Sequence, residues 1–161
     1  MASCLVLFAA AAQADDRRCN GIDGPFTSVT VALLECTFSV GLCTHGELRG
    51  ELAGSYDFTA DTLVPASDPS HPNRFFYTGH SVIKPRFGRG VIHGEDHGFI
   101  DMNPAGKSPF VTTVLIMGGT RRWTHVTGSI VAEGDLVLAT GQATGSYTGA
   151  LCRSCGDRHD D

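Results

Sequence analysis

The chain has 161 residues, enough for one domain with a core of its own. A formal net charge of -5, a pI near 5.7 and the lack of a basic stripe argue against nucleic acid as a partner. No apolar run reaches the roughly 18 residues of a membrane span, so no membrane partner is expected.

Residues 1–14, M-A-S-C-L-V-L-F-A-A-A-A-Q-A, read as the remnant of a secretory signal. Leu5 to Ala12 is a short apolar stretch, Ala12-Gln13-Ala14 is an A-x-A cleavage site, and Asp15-Asp16 begins a polar chain. No Lys or Arg precedes the apolar stretch, which fits a start inside a longer signal; the alternative is a buried N-terminal helix. The expected location is secreted or periplasmic, where disulfides persist. Cys36 and Cys43 are close enough in sequence for a bridge across a strand connection. A bridge between Cys19 and Cys152 would tie the two ends of the mature chain, leaving Cys155 odd. Cys152 and Cys155 also have C-x-x-C spacing, but beside a polar tail rather than at a helix start after a strand.

Residues 15–155 read as a single β domain, followed by a polar tail at 156–161. Candidate strands are 27–36, 46–58, 74–84, 89–101, 109–117, 122–133 and 136–151, separated by Gly and Pro breakers. Seven or eight antiparallel strands in one domain predict a barrel or a sandwich. In the second strand His45, Glu47, Arg49, Glu51 and Asp57 share one face. Leu48, Leu52, Tyr56 and Phe58 share the other, which is the interior because a charged row does not bury unpaired. The last strand turns Val137, Ala139, Gly141, Ala143, Gly145, Tyr147, Gly149 and Leu151 inward. The glycines of these inner rows predict tight curvature, large side chains opposite, or space for a ligand.

The densest chemistry lies in V-I-H-G-E-D-H-G-F-I, residues 91–100. His93, Glu95 and His97 share one strand face and have the ligand types of a divalent metal site. On a regular strand His93 and His97 are about 13 Å apart, so one ion between them requires a bulge or bend at Gly94 or Gly98, or a histidine from elsewhere (His80 or His125). The opposite row, Ile92, Gly94, Asp96, Gly98 and Ile100, matches the apolar rows of the other strands. Asp96 therefore points inward, as a buried acid needing partners or a raised pKa, and is the candidate catalytic residue. Tyr56 and Tyr147 on inner rows, with Trp123 and Arg122 near the Gly118-Gly119 turn, are candidate ligand contacts. Arg86, Arg89, Arg121 and Arg122 lie near strand ends, where they could draw an anionic ligand to a barrel mouth. No nucleophile elbow, phosphate-binding loop or dinucleotide fingerprint occurs.

The stretch M-G-G-T-R-R-W-T-H-V-T-G, residues 117–128, resembles the Gly-Gly-Thr-Gly-Arg-Phe run of the allene oxide cyclase and dirigent-like group of barrels, which includes small secreted bacterial members. Gly118, Gly119, Thr120, Arg122, Trp123, Thr127 and Gly128 fit that pattern; Arg121 stands where glycine is usual, and His125 replaces a small residue. G-E-D-H-G-F-I-D resembles the group's D-x-G-x-x-D strand through Asp96, Gly98 and Asp101, and G-Q-A-T-G-S-Y-T-G-A-L-C resembles its closing strand. Together these cover residues 75–152. The resemblance implies an antiparallel eight-stranded barrel with an apolar cavity, often in dimers or trimers. Its members include cyclases acting on unsaturated fatty-acid epoxides and proteins that steer radical coupling of phenols, neither with a metal or organic cofactor in that step. The expected function is a secreted barrel that binds a small apolar or aromatic molecule, acting as a cyclase or isomerase by positioning its substrate. The alternatives are a lipocalin-like carrier and a divalent-metal enzyme built on His93, Glu95 and His97.

Overall fold

The structure is a computed structural model that describes residues 17–31, 36 and 40–154. The signal reading of residues 1–14, the polar tail and Cys155 lie outside the described residues. Eight strands form one closed antiparallel barrel in sequence order: β1 (Arg17–Thr30), β2 (Cys43–Leu48), β3 (Gly54–Pro65), β4 (Arg74–Pro85), β5 (Ile92–Asp101), β6 (Lys107–Gly119), β7 (Thr127–Val137) and β8 (Gln142–Ser154). Closure pairs β1 with β8, so every described strand has a neighbour on both sides. No helix among the described residues is long and apolar enough to cross a membrane.

Several strand boundaries differ from expectation, each for a local reason. β1 begins ten residues before the expected start at position 27. Its first half, R-R-C-N-G-I-D-G, is polar because only Ile22, Gly24 and Phe26 turn inward. The single strand expected at 46–58 is two strands, parted by a 3₁₀ turn over Gly50–Leu52 in which Gly50 has φ 82°. Leu48, Leu52 and Tyr56 nevertheless stay on the inside. A second 3₁₀ turn, Arg121–Trp123, occupies the expected start of the strand at 122–133. Val137 and Ala139 are not part of the β8 inner row: residues 137–141 form a turn, with the Thr140 and Gly141 amides donating to the Val137 carbonyl.

Period-two alternation sets the inside and outside of β5: Ile92, Gly94, Asp96 and Ile100 are buried, while His93, Glu95 and His97 are exposed. The glycines on the inner rows make room for rings. A Cβ at Gly46 would strike the Tyr56 ring, and one at Gly98 would lie 2.6 Å from the Tyr77 ring. One at Gly145 would lie 2.8 Å from the Phe26 ring. Of the three readings left open for these glycines, large side chains opposite apply at these three positions, together with close approach of neighbouring-strand backbone at 2.5 Å (Thr27 and Val111 carbonyls) and at the Glu133 carbonyl.

One end of the barrel is solid. Leu52, Ile83, Ile92, Trp123, Val126 and Leu151 are buried there in a continuous apolar cluster. Each fully buried aliphatic side chain contributes roughly 2 kcal/mol. Two disulfides, Cys19–Cys152 and Cys36–Cys43, reinforce the fold and fit an oxidising compartment. Cys19 lies directly opposite Cys152 across the β1–β8 seam. This bridge takes Cys152 out of any C-x-x-C dithiol.

Candidate functional site

Above the solid end the barrel holds a cavity of about 370 Å³, within the size range of small-molecule sites. Its floor includes Leu52, Ile83 and Tyr147, and its far end is lined by Leu42, Leu63, Met102 and Leu138. The β1–β2, β3–β4, β5–β6 and β7–β8 connections gather at that far end. The β7–β8 side presents Ile130, Ala132, Leu136 and Ala143 and is apolar. Across from it, Ser28, Tyr56, Tyr77, Ser81, Asp96 and Thr112 contribute polar groups from β1 and β3–β6.

Asp96 lines this cavity and is 2% exposed. The Ser81 hydroxyl donates to its Oδ1 at 3.0 Å, while Oδ2 has no hydrogen-bond partner among the described residues. Burial raises the carboxyl pKa to about 7; Ser81 and His80 pull it down, and Asp61 pushes it up. Burial also raises Tyr56 and carries Tyr77 to about 12, with Asp96 adding to both. Their hydroxyls therefore stay protonated at neutral pH, with Tyr56 hydrogen-bonded to Ser28 and Tyr77 to Thr112. An acid with a midpoint near 7, one oxygen held by Ser81 and the other buried without a partner among the described residues, on the wall of a largely apolar cavity, is a group suited to exchange a proton with a bound molecule or to balance its charge.

The other candidate residues divide by place. Tyr56 and Tyr147 line the cavity with Asp96. The Tyr147 hydroxyl is occupied by the backbone: it donates to the Arg49 carbonyl at 2.5 Å and accepts from the Leu52 amide at 3.1 Å. Trp123 and Arg122 do not line the cavity. Trp123 is 5% exposed in the apolar cluster. Its ring is flanked by the guanidinium groups of Arg122 at 4.8 Å and Arg153 at 4.3 Å. Arg86, Arg89 and Arg121 are exposed at the solid end with Arg122, rather than at the cavity's far end.

His93, Glu95 and His97 lie on the outer wall. The pairing with β6 does shift between His93 and Gly94. His80 stands opposite Glu95 in the register and approaches Asp61 at 3.3 Å. Even so, among the described residues no three His, Cys, Asp or Glu side chains are grouped closely enough to hold a metal ion.

Sequence reading singled out Asp96 and Tyr56 but passed over Ser28, Tyr77, Ser81 and Thr112. Tyr77 and Ser81 were within reach of the same alternation, since Tyr77, Gly79, Ser81 and Ile83 continue the inner row of β4. Pairing of Ser81 with Asp96 depends on the β4–β5 register, which no single strand reveals. Comparison of the chain with protein-family models, with curated proteins and with solved structures gives no match.

Proposed function

We propose that the protein is an exported barrel that binds a small apolar or aromatic molecule in its cavity and acts on it in the manner of a cyclase or isomerase. One observation carries this reading: the buried Oδ2 of Asp96, without a protein partner, on the wall of an otherwise largely apolar cavity. An apolar enclosure holds a flexible molecule in few conformations, which is a source of rate in reactions that fold a substrate on itself. Asp96 is the group that would act as acid, base or charge stabiliser there.

The resemblance to the allene oxide cyclase and dirigent-like group supports the same reading. Arg121, at the position where that group has glycine, has φ 56°, the backbone region that favours glycine. The two disulfides support export. The carrier reading keeps the same cavity and gives Asp96 no chemical part.

Binding is tested by titrating the protein with a neutral fluorescent apolar dye. Saturable binding that Ala132→Trp abolishes is the expected result; an unchanged isotherm in that variant would remove the cavity as the site. Turnover is then tested at saturating concentration of the ligand recovered from the native source: Asp96→Asn loses turnover even where the cavity is filled. A carrier would return the ligand unaltered from both proteins.

A further inference from the structure

The cavity carries one charge-bearing group of unusual standing. Among the described residues that line it, Asp96 is the only carboxylate, and no Lys, Arg or His faces it from the wall. The adjoining strands contribute hydroxyls and an apolar group to the lining, Tyr77 and Ser81 from β4 and Thr112 and Val114 from β6, and Ser28 and Tyr56 line the cavity from β1 and β3. Two further charges act through the wall, His80 and Asp61, and they oppose each other. The Ser81 hydroxyl satisfies one carboxylate oxygen, and among the described residues nothing satisfies the second. Once ionised, such a carboxylate repels an anionic ligand and attracts a cationic one, and a buried carboxylate without a counter-ion is costly until one arrives.

The rings around it point the same way. Tyr56 and Phe58 line the cavity from β3, and Tyr77 lines it from β4, the strand beside β5. Phe58 and Tyr77 meet edge to face with centroids 5.7 Å apart. Aromatic rings and a single carboxylate lining one cavity form an environment that suits an ammonium group, through charge pairing and cation–π attraction.

We infer that the ligand of this cavity is a lipophilic amine, bound as its ammonium ion with its charge paired to the Asp96 carboxylate and its apolar body along the β7–β8 wall. This inference rests on the proposed function above: it takes the binding cavity as given, assigns Asp96 the part of charge stabiliser, and names the class of molecule. Fatty acids and other carboxylates are then excluded by charge. Affinity follows the ionisation of both partners. It rises as pH passes upward through the Asp96 midpoint near 7, and falls again where the amine loses its proton, at about 10 for an alkylamine.

The test compares three ligands of one shape: tryptamine, tryptophol and indoleacetate, by calorimetric titration of the full mature chain. At pH 8 tryptamine is expected to bind at least about tenfold more tightly than tryptophol, with indoleacetate weakest. At pH 5.5 the advantage of the amine shrinks severalfold, because Asp96 is neutral there. Asp96→Asn brings tryptamine down to the level of tryptophol in the same variant. The pH profile of the wild type carries the same information without a substitution, so the test stands even if the variant folds poorly. Tryptophol binding as tightly as tryptamine, or better at low pH, would overturn the amine and leave the binding cavity standing, with Asp96 as a hydrogen-bond donor. If none of the three binds and the neutral dye also fails, the cavity reading falls with the amine.

Discussion

The two faces of β5 place similar side chains in different surroundings. On the outer face His93, Glu95 and His97 stand in water, and on the inner face Asp96 is buried one position away. The outer three are the denser cluster of metal-ligand types, yet their alternation on a strand spreads them along a wall instead of gathering them at a point. Asp96 is a lone acid, but burial, a single hydroxyl partner and an adjoining cavity raise its pKa to about 7. Chemical readiness here follows from surroundings more than from the number of polar residues in a stretch.

The widest separation between the two faces should appear in the pH dependence of stability. The Asp96 pKa is raised on folding, so its contribution to stability is fully present below about 3.8 and is lost as pH rises through about 7. Acids on the outside behave oppositely. Hydrogen bonds from Ser70 and His71 hold Asp68 at about 2, and Arg74 holds Asp101 below its usual value. Their contributions are present above about pH 4 and are lost as pH falls below it. Chemical denaturation of Asp96→Asn should therefore lack the wild-type decline between pH 4 and 7, leaving the variant more stable at pH 8 by roughly 3–4 kcal/mol. A decline of the same size in both proteins would assign it to another group.

Gly98→Ala probes the packing next to Asp96. The added Cβ would lie 2.5 Å from the Val111 carbonyl and 2.6 Å from the Tyr77 ring, so a loss of about 1–3 kcal/mol is expected by urea unfolding. An unchanged midpoint would mean that Tyr77 moves freely and does not bound the cavity.

Arg121→Gly probes the solid end. It relieves a left-handed backbone on a non-glycine residue and should raise stability by about 1 kcal/mol, read as a higher thermal midpoint. No gain would mean that the Arg121 side chain offsets its backbone.

The smallest effects are expected on the outer face of β5. His93→Ala, Glu95→Ala and His97→Ala should each change stability by less than about 0.5 kcal/mol and leave dye binding unchanged. A lost ligand or a large destabilisation in any of them would move the functional site to the outer wall.

Much of this division was legible before any coordinates. The row of Ile92, Gly94, Asp96 and Ile100 gave the inward direction of Asp96, and Leu48, Leu52 and Tyr56 gave the interior of β2 and β3. Cysteine spacing pointed to both disulfide pairs without settling them. Three things were not legible. The start of β1 was hidden because half of that strand is polar and only three of its early residues turn inward. The partners of Asp96 come from other strands, and their approach depends on register and closure rather than on neighbours in sequence. The place of Trp123 and Arg122, candidate ligand contacts in the sequence, depends on which end of the barrel their turn occupies: it is the solid end, where the tryptophan packs in the core and arginines flank its ring.

The measurement that tests the account most directly is an NMR titration of the Asp96 carboxyl carbon, alone and with saturating tryptamine. The account predicts a midpoint near 7 in the free protein and a clear downward displacement when the amine is bound. A midpoint near 3.8, unmoved by the ligand, would mean that Asp96 meets water rather than an apolar cavity, and would contradict its place at the centre of the site.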